Sequence, residues 1–235
     1  MSKKPWKIKI FTLFPELFPG PLGSGLSNKS YTQKIWDYET INFRDYAKDT
    51  HKTVDDTPFG GGAGMVLKPD VVGEAIAKNI KPNAPLYYLS PRGQKFDMAL
   101  AKEFISHDEL NLVCGRYEGL DQRVIDHFQM IEISIGDYIL SGGEQAAHII
   151  MDVCIRLLPE SLGNDKTHEE ETFVNSLLEY PHYTKPRIWK NLAVPEILIS
   201  GHHEKIKAWR FEASKKMTQK KRPDLWKIHQ KNSKK

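Results

Sequence analysis

Between residues 86 and 157, short apolar runs alternate three times with stretches of helical spacing, and this alternation constrains the fold most. Residues 86–89, 110–114 and 130–135 are runs of strand length. Helical patterns follow over 97–105 and 121–128, and again beyond 144. There Ala146, Ala147, Ile149, Ile150, Val153, Cys154 and Leu157 share one broad face. Strands alternating with helices of about ten residues argue for βαβ units and a parallel sheet, an α/β fold. Upstream, residues 8–14 read as a first strand, 15–18 as a short helix opened by Pro15, 20–30 as loop, 38–43 as a weaker strand and 71–80 as a helix.

Three strand ends carry glycine and polar residues: Leu89-Ser90-Pro91, Cys114-Gly115-Arg116 and Ile135-Gly136-Asp137. In a parallel sheet such ends share one edge, the edge where α/β proteins bind ligands. The richest of them is Ser134-Ile135-Gly136-Asp137-Tyr138-Ile139-Leu140-Ser141-Gly142-Gly143-Glu144, whose three glycines let a ligand approach bare backbone. A tight corner without a ligand is the alternative. A second glycine-dense segment, Phe59-Gly60-Gly61-Gly62-Ala63-Gly64-Met65, is neither a phosphate-binding P-loop nor a dinucleotide fingerprint. It suits a flat ring or a phosphate, or simply a surface loop.

Residues 159–172 are polar and poorly periodic, as a linker is. Beyond them, fifteen Lys/Arg against five Asp/Glu in 176–235 give about +10, on a body of about −6 that completes the net +4. Two basic helical stretches, 203–216 and 223–231, carry Trp209, Phe211 and Trp226 as apolar anchors. A basic helical tail domain on an acidic body suits a polyanion such as a nucleic-acid backbone. No run of eighteen apolar residues is present, so no membrane partner is expected. Cys114 and Cys154 sit in apolar surroundings without a C-x-x-C spacing, and buried free thiols in a reducing, cytoplasmic setting are expected.

Asp137 and Glu118 are candidate ligand contacts or catalytic carboxylates. Arg156 ends the helix that leaves the glycine stretch, where it either complements the helix dipole or holds charge over the pocket. Glu169-Glu170-Glu171 is a solvated acidic run, or a segment that closes over a substrate and supplies a base. His202-His203-Glu204 lacks a third spaced ligand, and no metal site is assigned. No dinucleotide fingerprint supports a nicotinamide-dependent dehydrogenase.

The two glycine-rich stretches, with Leu89-Ser90-Pro91-Arg92-Gly93, Cys114-Gly115-Arg116-Tyr117-Glu118-Gly119 and Leu178-Glu179-Tyr180-Pro181-His182-Tyr183-Thr184, resemble the bacterial tRNA (guanine-N1)-methyltransferases of the TrmD type. The similarity runs from about residue 8 to 226.

The resemblance implies a SPOUT-type parallel sheet with a C-terminal trefoil knot, which ordinary connection rules would not suggest. It implies a knotted domain over 1–160, a flexible linker over 161–175 and a basic helical tRNA-binding domain over 176–235. It implies S-adenosylmethionine as cofactor, held by Tyr88, Leu89, Ser90, Pro91, Gly115, Arg116, Tyr117, Glu118, Ser134, Ile135, Gly136, Asp137, Tyr138, Ile139, Leu140, Gly142 and Gly143. The implied partners are tRNA, engaged at Asp56, Gly60, Gly61, Gly62, His182, Tyr183 and Arg210, and a second copy, in a homodimer with shared sites. A Mg2+ requirement cannot be read from the residues. Glu171 matches the general base and Arg156 the arginine that stabilises charge on guanine O6. The family pattern has aspartate in place of Glu171, within Asp-Ser-Phe, where this chain reads Glu171-Thr172-Phe173. Lys185 stands where arginine is common, which weakens bidentate phosphate contact. A non-catalytic tRNA-binding protein that keeps the knotted fold is the alternative, and the exchange at 171 is what favours it.

Overall fold

The computed structural model describes residues 4–81, 84–161 and 172–233. The chain divides into two compact units, Met1–Gly163 and Asn164–Lys235.

The first unit is built on a five-stranded parallel sheet. Its strands are β1 (Trp6–Thr12), β2 (Trp36–Asn42), β5 (Tyr87–Lys95), β6 (Glu109–Cys114) and β7 (Ile131–Ser134), in spatial order β2-β1-β6-β5-β7. Two short strands, β3 (Asp55–Asp56) and β4 (Val66–Leu67), pair antiparallel at the ends of the glycine-dense segment. Five helices, α1 (Gly25–Thr32), α2 (Pro69–Asn79), α3 (Met98–Ser106), α4 (Gln122–His127) and α5 (Glu144–Leu157), connect the strands and close the unit.

Period-two alternation divides the core between the two sheet faces. Leu110, Leu112 and Cys114 of β6 join Tyr87, Leu89, Ile8 and Ile10 in one cluster, covered by α3 and α5. Val113, Tyr88 and Phe11 point the other way, into a cluster covered by α2 and α4. Sequence-encoded caps set two of the helix starts. Asp97 accepts hydrogen bonds from the Ala99 and Leu100 amides, and Asp121 accepts one from Arg123.

Two expectations for the elements of this unit need correction. Residues 25–32 form α1 rather than loop. The polar helix is held from outside, by the Trp36 indole donating to the Ser27 carbonyl (3.0 Å) and Ser30 Oγ (3.1 Å). And β5 does not stop at Leu89: the chain makes an irregular excursion through Ser90–Gly93 and re-pairs with β7 at Gln94↔Ile133 and Lys95↔Ser134. Gly93 is required where the chain returns, because a Cβ there would lie 2.2 Å from the Glu132 backbone carbon.

The second unit pairs α6 (His203–Lys221) with α7 (Pro223–Asn232), preceded by the hairpin β8 (Ile188–Trp189) and β9 (Leu192–Ala193). Thr218, fully buried on α6, donates to the Ser214 carbonyl (2.7 Å) and accepts from the Leu178 amide (2.8 Å). Phe211 is 51% exposed, so it is not the apolar anchor its spacing suggested.

Candidate functional site

The excursion after Leu89, the loop after β6 and the loop from β7 to α5 close around one cavity of about 240 Å³. Of the expected cofactor contacts, Tyr88, Leu89, Ser90, Pro91, Gly115, Tyr117, Glu118, Ser134, Ile135, Gly136, Tyr138, Ile139, Leu140, Gly142 and Gly143 line it. Gly119 and Ser141, within the quoted motifs, and Ile133 and Ala146, just outside them, line it too but are not among the expected contacts. Arg116 and Asp137 are not among the lining residues. Asp137 is almost fully exposed, with its carboxylate 4.0 Å from Lys95 Nζ. Arg116 turns away, toward Glu144 at the start of α5.

The glycines here are spatial requirements. Added Cβ atoms at Gly115 and Gly119 would lie 2.9 and 2.7 Å from Tyr88 Oη, so their absence makes room for that phenol. Burial raises the Tyr88 pKa and keeps the hydroxyl neutral. At Gly136 the backbone enters positive φ (155°), closed by the Ser134 side chain: Gly136 N donates to Ser134 Oγ (3.2 Å), which donates to the Gly136 carbonyl (3.1 Å). At the far end of the loop, Gly143 N donates to the Gly115 carbonyl (3.0 Å) and stitches two of the three loops together.

Behind this cradle lies a buried charge pair. Glu144, the first residue of α5, is 0% exposed. Its Oε1 accepts from Thr12 Oγ1 at the end of β1 (2.8 Å), and its Oε2 lies 2.9 Å from Arg116 Nε. Arg116 also donates to the Ser141 carbonyl (3.2 Å) and stacks its guanidinium over Phe14 (4.4 Å). Cys114 lies beside this pair, its thiol pKa pushed well up, first by burial and then by the Glu144 carboxylate. Both cysteines are free and buried.

The glycine-dense segment abuts the cavity wall. Glu118 N donates to the Met65 carbonyl and Leu67 N to the Gly119 carbonyl, both at 2.9 Å. Gly64 packs so closely that a Cβ would meet the Glu118 carboxylate. Gly60, Gly61 and Gly62, all at positive φ, therefore stand on an exposed loop that begins and ends beside the cavity, and Asp56 occupies its β3 end.

Arg156 lies exposed on the last turn of α5. His182, Tyr183 and Arg210 belong to the second unit. There His182 Nε2 sits 2.8 Å from Glu179 Oε1, Tyr183 packs on Trp209, and the Arg210 guanidinium lies over Tyr180 (4.7 Å). Glu171 lies outside the described residues.

The cradle suits S-adenosylmethionine on chemical grounds. Its walls offer bare peptide groups to an adenine edge, and Glu118, an acidic residue, is among those that line it.

Comparison with known proteins agrees in extent. Residues 6–228 match the family model described as tRNA (Guanine-1)-methyltransferase TrmD. A protein of Pelagibacter ubique is 51% identical over 227 residues, covering 97% of this chain and 100% of its own. One of Rhodospirillum rubrum is 53% identical over 217 residues, covering 92% and 91%. One of Wolbachia pipientis is 48% identical over 224 residues, covering 94% and 95%. All three are named tRNA (guanine-N(1)-)-methyltransferase.

Proposed function

The chain belongs to the TrmD family of tRNA (guanine-1)-methyltransferases, and from that premise we propose how its residues divide the work. It is a tRNA (guanine-N1)-methyltransferase, and identity near 50% along nearly its whole length disfavours the non-catalytic reading. The methylated nucleotide is the guanosine 3′ of the anticodon. The observation that carries the reading is the convergence of three glycine-bearing loops on one cavity.

S-adenosylmethionine, when bound there, supplies a methyl group already activated on a cationic sulfur. The protein's task is then positioning and proton removal. Guanine N1 carries a proton and is a poor nucleophile until that proton leaves. Glu171 takes it as general base. Negative charge gathers on O6, and Arg156 stabilises it as a fixed cation. Tyr88, Leu89, Gly115 and the 134–143 loop hold the cofactor. Asp56 and the Gly60–Gly62 loop, with His182, Tyr183 and Arg210, bind the tRNA.

We propose further that the first unit carries the trefoil knot and the cofactor, and that the second grips the nucleic acid. Supporting the knot, the chain leaves edge strand β7, is stitched to the loop after β6, and continues as α5 packed beside β1 and β6. Supporting the second role is the charge of about +10 over 176–235. Two copies are proposed to complete each site, and Ile149, 46% exposed on α5, is apolar surface for a second copy to cover. A cytoplasmic location is proposed with these roles. No helix among the described residues is long and apolar enough to cross a membrane.

The direct test is incubation with S-adenosylmethionine labelled in its methyl group and unmodified tRNA, followed by nucleoside analysis. N1-methylguanosine at the position 3′ of the anticodon is expected, and its absence would overturn the reading. A chelator arm in the same assay decides the Mg2+ requirement.

A further inference from the structure

Neither residue of the buried pair Arg116–Glu144 lines the cavity, yet the pair packs behind the wall and ties together two of the loops that do. Arg116 leaves the loop after β6 and donates to the carbonyl of Ser141, a lining residue of the β7–α5 loop. Glu144 begins α5 and reaches the end of β1 through Thr12. Gly142 is the complement: a Cβ there would lie 2.3 Å from Arg116 Nε, so the loop lies directly on the guanidinium shaft.

The geometry of the pair is poor for simple stabilisation. Its two closest charged atoms are 2.9 Å apart, but neither Arg116 Nε nor Glu144 Oε2 makes an aligned hydrogen bond. The carboxylate is fully buried and the arginine side chain only 18% exposed. A desolvated pair of this kind is weak evidence for stability, and a well-packed apolar pair often does as well. What an apolar pair cannot do is donate to the Ser141 carbonyl while accepting guidance from a fixed carboxylate. Arginine, with its planar fork, can bridge the two, whereas a lysine is a single point charge.

We propose that Arg116 and Glu144 are positioning residues for the cofactor. They set the Ser141–Gly143 segment at the distance from Gly115 that the adenosyl group requires, without touching that group themselves. This rests on the assignment of the cavity to S-adenosylmethionine. It assigns Arg116 an indirect role in place of the direct contact its motif suggests.

The test separates positioning from stability. Affinity for S-adenosylhomocysteine by calorimetry, thermal midpoint, and kcat and KM for S-adenosylmethionine are measured on the full chain. The variants are Arg116→Lys, Glu144→Gln and the double variant Arg116→Met/Glu144→Gln. The single exchange Glu144→Gln leaves a buried guanidinium uncompensated and should lower the thermal midpoint. The double variant removes both charges and should recover it. Cofactor affinity should stay at least about 10-fold weaker in the double variant, with KM raised in parallel, kcat within about 3-fold and tRNA affinity unchanged. Recovery of cofactor affinity together with the midpoint would overturn the proposal and leave the pair a structural element. If the double variant does not fold, Arg116→Lys decides: a folded protein with wild-type cofactor affinity overturns the proposal, and a weakened one supports it. Wild-type protein that binds no cofactor at all would instead overturn the assignment of the cavity.

Discussion

The backbone contact between Gly143 and Cys114-Gly115 gives the sharpest prediction. Gly143 has ordinary helical φ/ψ (−75°, −14°), so alanine there is conformationally permitted. Space is what it lacks: the new methyl would lie 2.8 Å from Cys114 Cα and 3.1 Å from both Cys114 Cβ and Gly115 N. Ordinary contact begins at 3.4 Å, so the loops must part by about 0.6 Å. Cys114 is completely buried and cannot yield by swinging a side chain. The Gly143 N to Gly115 O bond, now 3.0 Å, would stretch beyond useful length. Overpacking costs about 1–3 kcal/mol and the lost hydrogen bond about 1 kcal/mol. A total of about 2–4 kcal/mol in a unit of this size lowers the thermal midpoint by about 5–15 °C. A shift approaching 1 Å in a positioning element costs up to about 10²-fold in rate, so cofactor affinity and turnover should both fall by at least about 10-fold. Thermal unfolding with and without S-adenosylhomocysteine, followed by calorimetry, measures both effects. A Gly143→Ala protein with wild-type midpoint and affinity would refute the claim that this contact sets the width of the cavity.

Gly73→Ala is the converse case. Gly73 is inside α2 with the nearest neighbour to an added Cβ at 3.8 Å, so the exchange should stabilise by about 0.5–1 kcal/mol in thermal or urea unfolding. Glu171→Gln should cut methyl transfer by about 10²–10⁴-fold and spare cofactor and tRNA affinity, while Glu171→Asp should retain activity; if Glu170→Gln is the inactive protein instead, the base lies one residue earlier. Burial lowers the His148 pKa from 6.5, against a hydrogen bond to the Leu17 backbone and the nearby Glu144 carboxylate. The unfolded chain then binds the proton more readily, so this residue's penalty is absent above about pH 6.5 and grows as pH falls toward the lowered folded value. His148→Gln should flatten the midpoint over that window, and an unchanged profile would dismiss the residue as its source. Binding of tRNA should weaken by about 10³-fold between about 50 and 200 mM salt if six phosphates are contacted, and a flat response in a filter-binding titration would rule out an electrostatic grip by 176–235.

Much of the first unit was legible because buried parallel strands leave apolar runs and helices leave a stripe. Observed ends fall within about two residues of expectation at β2, β6, β7, α2, α3 and α4. What escaped depended on distant partners. Residues 25–32 follow directly on the glycine- and serine-rich start of the stretch read as loop, and their helix is held by Trp36 rather than by any pattern of their own. The β8–β9 hairpin has strands of two residues, too short for alternation to show, and turns at Lys190 and Asn191, both at positive φ. The resemblance implies Arg116 as a cofactor contact along with the rest of its motif, yet its side chain leaves the cavity for Glu144. Glycines were visible as markers of the site, but only the coordinates say what each makes room for: Tyr88 at Gly115 and Gly119, Arg116 at Gly142, the Glu132 backbone at Gly93.

A wall made of glycines at close approach also limits how this enzyme can change under selection. An inhibitor that reads peptide groups at Gly115, Gly136, Gly142 and Gly143 contacts carbonyls that every substitution keeps and amides that only proline removes. The available substitutions add a side chain where Cβ positions already collide with Tyr88, Tyr138, Arg116 or Cys114. Each such change moves the loop proposed to seat the methyl donor, so resistance arising at these positions would, on that assignment, carry a cost in tRNA methylation itself.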